Sequence, residues 1–237
     1  MQKPLIQLAL GLSLKDEATF DNFYPGKNTE IIAALKKTAS GQGERMTYLC
    51  GGEGQGCSHL LQACCHAANL HHIRSVYLPF SQITTLSLDL LTGLESVALI
   101  CLDDIQLIAG HLSWEEAIFH LYNRVFDAGG SLMIGAKELP KTIPLKLPDL
   151  ASRLSGGVTY KLRPLTDKEK LLALMMRGKR RGIDLSEEVA KYILTHYPRH
   201  MGVLFAALDK LDKASLVAQR RLTIPFVKTV LQNEKIK

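Results

Sequence analysis

The chain has 237 residues, 46% of them hydrophobic and 22% charged, with a formal net charge of +6. This composition excludes a disordered or collagen-like polypeptide, and the length allows one large domain or a medium domain plus a small one. No apolar run approaches the roughly 18 residues that a membrane span needs, so a soluble, cytoplasmic chain without a membrane partner is expected.

The five cysteines, at 50, 57, 64, 65 and 101, show no C-x-x-C spacing. Reduced thiols in helix and strand cores are a better reading than a metal site built from Cys64-Cys65 and His71-His72. The charge is uneven. From Pro164 onward there are 15 Lys/Arg against 8 Asp/Glu, and the remainder holds 14 against 15. A basic C-terminal third suits a polyanion or an acidic protein surface, and it equally suits a solvated helical face.

Residues 1–14 read as a tail. Met1 to Leu14 mimics a short signal peptide, but Gln7 interrupts the apolar run and Lys15-Asp16-Glu17 follows without a small-residue cleavage site. Gln7, Leu8, Leu10 and Leu12 alternate as an edge strand would, and an extended peptide docking its leucines into apolar pockets shows the same spacing. Spacing alone favours the strand.

Phe20 to Asn28 is a loop with turn residues, after which Thr29 is expected to cap a helix reaching about Lys37. Met46 to Cys50 reads as a buried strand. It feeds Gly51-Gly52-Glu53-Gly54-Gln55-Gly56-Cys57-Ser58-His59-Leu60, and a helix follows to about Asn69. Strand, glycine-rich turn and helix form the setting in which G-x-x-x-x-G-K-S/T cradles phosphates. Gly51, Gly56 and Ser58 fit that pattern, with Ser58 in the Mg²⁺-ligand position, but Cys57 stands where the lysine belongs. At a helix N-terminus Cys57 can also be a low-pKa thiol, although a small tolerated replacement is the favoured reading.

Ser75 to Leu78 is a second short strand. Val97 to Leu102 is a continuous apolar run ending in Asp103-Asp104, a strand covered on both faces with acids at its C-terminal end, where ligands bind in parallel sheets. About 50 residues beyond a phosphate loop this is a Walker B pattern, in which Asp103 or Asp104 orients Mg²⁺ or water. Ser113-Trp114-Glu115-Glu116 looks like a capping box opening a helix to about Ala128. Ser131 to Ile134 is a strand, Leu147 to Leu154 begins a short helix carrying Arg153, and Thr159 to Leu162 is the last strand.

Beyond Pro164 only helices are expected. Asp167 to Arg181 forms one and Ser186 to His196 a second. A third opens at Pro198 with Arg199 in its first turn, and a fourth follows Thr223-Ile224-Pro225. The reading is an α/β protein. Residues 15–163 form a nucleotide-binding core on a five-stranded parallel sheet, and residues 164–237 form a small four-helix lid.

These features together resemble an AAA+ protein, and in detail the DnaA/Hda group. Phe20-Asp21-Asn22-Phe23 with Gly26-Lys27-Asn28 is similar to the adenine-side box of the initiator DnaA, as are the loop's His59-Leu60 pair and Leu102-Asp103-Asp104-Ile105-Gln106. Trp114-Glu115, Leu121 to Arg124, Leu147 to Leu154 and Leu222 to Lys228 resemble the Hda family, whose members end after the lid. What this resemblance implies is a negative regulator of replication initiation rather than an enzyme. Bound to the DNA-loaded sliding clamp (the β subunit of DNA polymerase III), such a protein promotes hydrolysis of DnaA-bound ATP. It would work at the nucleoid or replisome and touch DNA through the clamp.

The resemblance also reassigns the tail. Gln7, Leu8, Leu10 and Leu12 match the family's clamp-binding peptide, with Gly11 where proline is expected. Arg153 matches the arginine finger that acts in trans, and Arg199 matches the lid arginine that reaches the chain's own nucleotide. ADP would be held by Asn22, Phe23, Gly51, Gly52, Gly54, Gln55, Gly56, Cys57, Ser58, His59, Asp103, Asp104 and Arg199, with Mg²⁺ on Ser58 and Asp103 when nucleotide is bound. Gly135 stands near the usual polar sensor 1 residue. Without that side chain or the lysine, turnover at this site is not expected, and ADP binding should be weakened but retained. AAA+ subunits act side by side, so a homodimer is compatible with this reading. Two rival classes are a DNA-remodelling or helicase-loading ATPase and a nucleotide-free scaffold or DNA-binding adaptor. Cys57 argues against the first; the second predicts salt-sensitive DNA binding without a clamp.

Overall fold

The computed structural model describes residues 14–232 except 16 and 86. The described residues divide into two compact units, one within 14–23, 28–52 and 56–163 and one within 24–27, 53–55 and 164–232. The tail residues Gln7, Leu8, Leu10 and Leu12 lie outside the described residues.

The first unit is built on a parallel sheet of β1 (Met46–Cys50), β2 (Ser75–Pro79), β3 (Leu99–Asp103), β4 (Ser131–Ala136) and β5 (Val158–Lys161), in the order β2-β3-β4-β1-β5. Every residue of β1 and β3 is buried, which is why they read as unbroken apolar runs. Alternate side chains serve two cores. Tyr48, Ile100, Leu102, Leu132 and Ile134 pack with Trp114, Ile118, Leu121 and Val125 of α3 (Leu112–Asp127) and with Leu150 and Leu154 of α4 (Pro148–Ser155). Leu49, Leu99, Cys101 and Met133 pack on the other side with Leu35 of α1 (Thr29–Ala39) and with Leu60, Leu61 and Cys64 of α2 (Cys57–Leu70).

The register of β1 against β4 runs from Met46↔Leu132 to Cys50↔Ala136, and Gly51 N donates onward to Ala136 O at 3.1 Å. The C-terminal ends of β1, β3 and β4 therefore finish side by side.

The second unit contains α5 (Asp167–Arg180), α6 (Glu187–His196), α7 (Met201–Ala218) and α8 (Ile224–Gln232). Thr166 and Glu169 form a reciprocal capping box on α5, and the Ser186 side chain accepts Val189 N at the start of α6. Leu174, Ile193, Leu204, Leu208, Leu211 and Val227 are buried in its core.

Three helix starts differ from the sequence expectation. Asn28 rather than Thr29 is the N-cap of α1, because a turn of 3₁₀-helix over Gly26–Asn28 leads directly into it. The Asn28 side chain is instead buried, donating to Arg163 O at 3.0 Å and accepting from Arg163 N at 2.8 Å. His111 precedes α3, which opens at Leu112, so Ser113 lies inside the helix and makes no capping box with Glu116; Glu115 is drawn into the protein interior. The third lid helix begins at Met201, so Arg199 lies ahead of it rather than in its first turn.

Candidate functional site

The phosphate loop joins β1 to α2. Gly54 and Gly56 adopt left-handed backbones (φ +73° and +98°), and a Cβ on Gly56 would also stand 2.5 Å from Phe23 Cε2. Gly56 N-caps α2, whose first bond is Leu60 N to Gly56 O at 2.9 Å. The N–H groups ahead of Leu60 belong to a helix N-terminus, the kind that takes an anion. This cradle fits the diphosphate of a nucleotide.

The Cys57 thiol is turned toward the protein. Its Sγ lies 3.9 Å from Gly51 O and 3.8 Å from Ala136 O, so it bridges the start of the loop to the end of β4. Burial first, then the charges of Asp103, Cys50 and Asp104, push the thiol up to about 12. The thiol is neutral, which overturns the low-pKa reading: burial and neighbouring acids outweigh the helix terminus.

Asp103 is buried beneath the loop. Its Oδ2 accepts the Tyr77 hydroxyl at 2.7 Å, its Oδ1 accepts Asp104 N at 2.9 Å, and the exposed Ser58 side chain also hydrogen-bonds to it. Burial raises its pKa, with the Ser58 and Tyr77 hydrogen bonds acting in the opposite direction. Ser58 and Asp103 are thus adjacent oxygen donors, as a Mg²⁺ site needs. Two protein oxygens suit a magnesium ion that takes its other ligands from phosphates and water. Among the described residues no cluster of three or more His, Cys, Asp or Glu forms a metal site, so the pair of Cys64-Cys65 and His71-His72 does not converge.

Asp104 has a left-handed backbone (φ +56°), and its Oδ1 accepts Gln106 Nε2 at 3.0 Å. Gln106 Oε1 in turn accepts Lys137 N at 3.3 Å, just past β4. Gly135 is on β4, and a Cβ there would meet Asp103 Oδ1 and Leu61 Cδ1, each at 2.6 Å.

On the adenine side, His59 Nε2 is 2.8 Å from Thr19 O, and the Phe23 ring lies 5.5 Å from the His59 ring. Asn22 N is bound to Thr19 Oγ1 and its Nδ2 to Glu17 O. The structure therefore brings Asn22, Phe23, Gly51, Gly52, Gly56, Cys57, Ser58, His59, Asp103 and Asp104 together in the first unit. In the second, Arg199 Nη1 pairs with Asp167 Oδ2 at 2.7 Å, and Gly54 lies against the His200 ring.

Arg153 is separate from this cluster of groups. It is exposed in the last turn of α4, its guanidinium carbon 5.4 Å from the centroid of the Tyr122 ring. Tyr77, Gln106, Glu115 and Tyr122 were not expected as site residues from sequence. Gln106, Glu115 and Tyr122 stand there only within the motifs that carry the family resemblance, and Tyr77 only within a strand.

Residues 14–161 match the family model described as the bacterial DnaA ATPase domain. The chain belongs to the bacterial DnaA ATPase-domain family. Residues 167–231 match a second model, described as the Hda lid domain, and together the two make this an Hda/DnaA-like AAA+ protein. Domain III of the Thermotoga maritima initiator DnaA superposes with a TM-score of 0.81 at 21% identity, over 93% of this chain and 98% of that one. AMPPCP-bound DnaA from Aquifex aeolicus gives 0.70 at 22% identity, over 85% and 67%. The Holliday-junction branch-migration motor RuvB of Thermotoga maritima gives 0.69 at 15%, over 93% and 73%. At these identities the likenesses speak for the AAA+ fold that this DnaA-like chain shares. Among the described residues no helix is long and apolar enough to cross a membrane.

Proposed function

We propose that this chain is a negative regulator of replication initiation that stimulates hydrolysis of DnaA-bound ATP while held on the DNA-loaded sliding clamp through Gln7, Leu8, Leu10 and Leu12. The observation that carries the reading is Arg153, an exposed guanidinium on a short helix, in a DnaA-like chain with an Hda-type lid. A guanidinium is planar and permanently charged, so Arg153 inserted beside a neighbouring subunit's nucleotide neutralises charge developing on the transferred phosphoryl group.

The chain's own nucleotide site is the regulatory half of this proposal. The Gly51–Ser58 loop holds the diphosphate of ADP through backbone N–H groups, Ser58 and Asp103 hold Mg²⁺ when nucleotide is bound, and Arg199 senses that nucleotide from the lid. A bound Mg²⁺ would screen phosphate charge that no lysine screens here. Two features support the absence of turnover: the neutral thiol of Cys57 in the lysine position and the lack of room for a side chain at Gly135.

The test is hydrolysis of DnaA-bound ATP with and without DNA-loaded clamp, comparing the native chain with Arg153→Ala and Gln7→Ala. The native chain is expected to accelerate hydrolysis only with the clamp, and both variants to lose the effect. If both variants remain fully active, the proposal is wrong.

A further inference from the structure

Glu115 is a buried carboxylate whose oxygens are taken up by backbone N–H groups from two loops. Its Oε1 accepts Gly110 N at 2.8 Å, and its Oε2 accepts Lys146 N and Leu147 N, both at 2.8 Å. Burying a carboxylate is costly unless its oxygens are hydrogen-bonded, so this constellation locks both segments to α3. Leu147 is the residue before α4, and Glu115 thus grips the chain where the Arg153 helix begins.

Seven residues further along α3, two turns and therefore on the same face, is Tyr122. Its ring is the one beneath the Arg153 guanidinium. Tyr122 stacks on Phe126 with centroids 4.3 Å apart and planes 12° from parallel. Phe126 takes the Arg45 guanidinium 4.6 Å from its own centroid, and Arg45 is tied to the backbone at Phe126 O (2.6 Å) and Gly130 O (3.2 Å). A continuous row of Arg153, Tyr122, Phe126 and Arg45 thus runs from α4 to the residue just ahead of β1, the strand feeding the phosphate loop.

We infer that Tyr122 and Glu115 are positioning residues for Arg153, Glu115 fixing where its helix starts and Tyr122 holding the guanidinium over a ring. The inference rests on Arg153 acting in trans as proposed above. An exposed arginine is otherwise free to sample many rotamers, and ordering it only on contact with a partner would weaken its effect. A ring face holds the planar cation without consuming the N–H donors that a phosphate requires.

The experiment is clamp-dependent hydrolysis of DnaA-bound ATP with the full chain, titrated so that maximal rate and half-saturating concentration are read separately. Tyr122→Leu should lower the maximal rate about two- to fivefold, in line with loss of one exposed cation–π contact, and leave half-saturation nearly unchanged. Tyr122→Phe should restore the rate, and Tyr122→Leu combined with Arg153→Ala should be no slower than Arg153→Ala alone. Glu115→Gln should speed hydrogen exchange at the Lys146 and Leu147 amides as well as lower the rate. Arg153→Ala inactive beside a fully active Tyr122→Leu overturns Tyr122's role while leaving the finger intact; so does Tyr122→Phe as impaired as Tyr122→Leu. Unchanged exchange in Glu115→Gln removes Glu115 from the inference. Arg153→Ala at the native rate overturns the finger reading and this inference with it.

Discussion

Asp103 and Gly135, on neighbouring strands, leave no space between them: a Cβ on Gly135 would lie 2.6 Å from Asp103 Oδ1. Asp103 cannot easily give way, since that oxygen is held by Asp104 N. Gly135→Thr is therefore expected to destabilise the chain by about 1–3 kcal/mol, as overpacking does, and to produce no ATPase activity. Urea unfolding and steady-state phosphate release read the two outcomes. A stable variant that turns over ATP would show that Gly135 is not what the site lacks room for.

Tyr77→Phe removes one of the hydrogen bonds to buried Asp103 and leaves the ring in place. A hydrogen bond to a carboxylate contributes about 1.5–3 kcal/mol, so unfolding without nucleotide should shift by that order. A shift within error would mean that Ser58 and Asp104 N satisfy the carboxylate alone.

Cys57→Lys would return to the loop a cation that contacts phosphate. One charge-assisted hydrogen bond corresponds to roughly a ten- to hundredfold gain in affinity, larger for ATP than for ADP because the lysine chiefly serves the γ-phosphate. Isothermal titration of both forms with both nucleotides measures it. The native chain should bind ADP weakly; no heat with either nucleotide at high micromolar concentration would favour a nucleotide-free scaffold.

The Cys57 thiol has a direct pH signature. With its pKa pushed up from 9.0 to about 12, the folded chain keeps between those values a proton that the unfolded chain has lost. Stability therefore falls as pH rises across that window, and Cys57→Ala should flatten the decline. At pH 8 only about one thiol in ten thousand is thiolate, so iodoacetamide should label Cys57 far more slowly in the native protein than after unfolding. Rapid native labelling at pH 8 would contradict the half-buried, neutral thiol.

Much of the fold was legible because its signals are local. β1 and β3 are covered on both faces and so read as apolar runs, and Ser186 caps the helix that begins just beyond it. The phosphate loop was legible for the same reason, since its glycines, Ser58 and Cys57 are contiguous. Where long-range contacts compete with local rules, the local reading failed. Ser113 and Glu116 have the spacing of a capping box, yet α3 begins ahead of them at Leu112, and the neighbouring Glu115 binds Lys146 N and Leu147 N, 31 and 32 residues away. Asn28 likewise reaches Arg163, 135 residues on, instead of leaving the N-cap to Thr29.

By itself the sequence determined which charges exist: no cation at position 57, acids at 103 and 104, and an arginine at 153. Side-chain chemistry belongs to the residue and needs no fold to define it. Only the tertiary structure decided that the Cys57 thiol faces Gly51 and Ala136 and that Asp103 is hydrogen-bonded by Tyr77, Ser58 and Asp104. It likewise set Arg153 over Tyr122. Direction, burial and partners arise from segments brought together by packing, and no spacing along the chain encodes them.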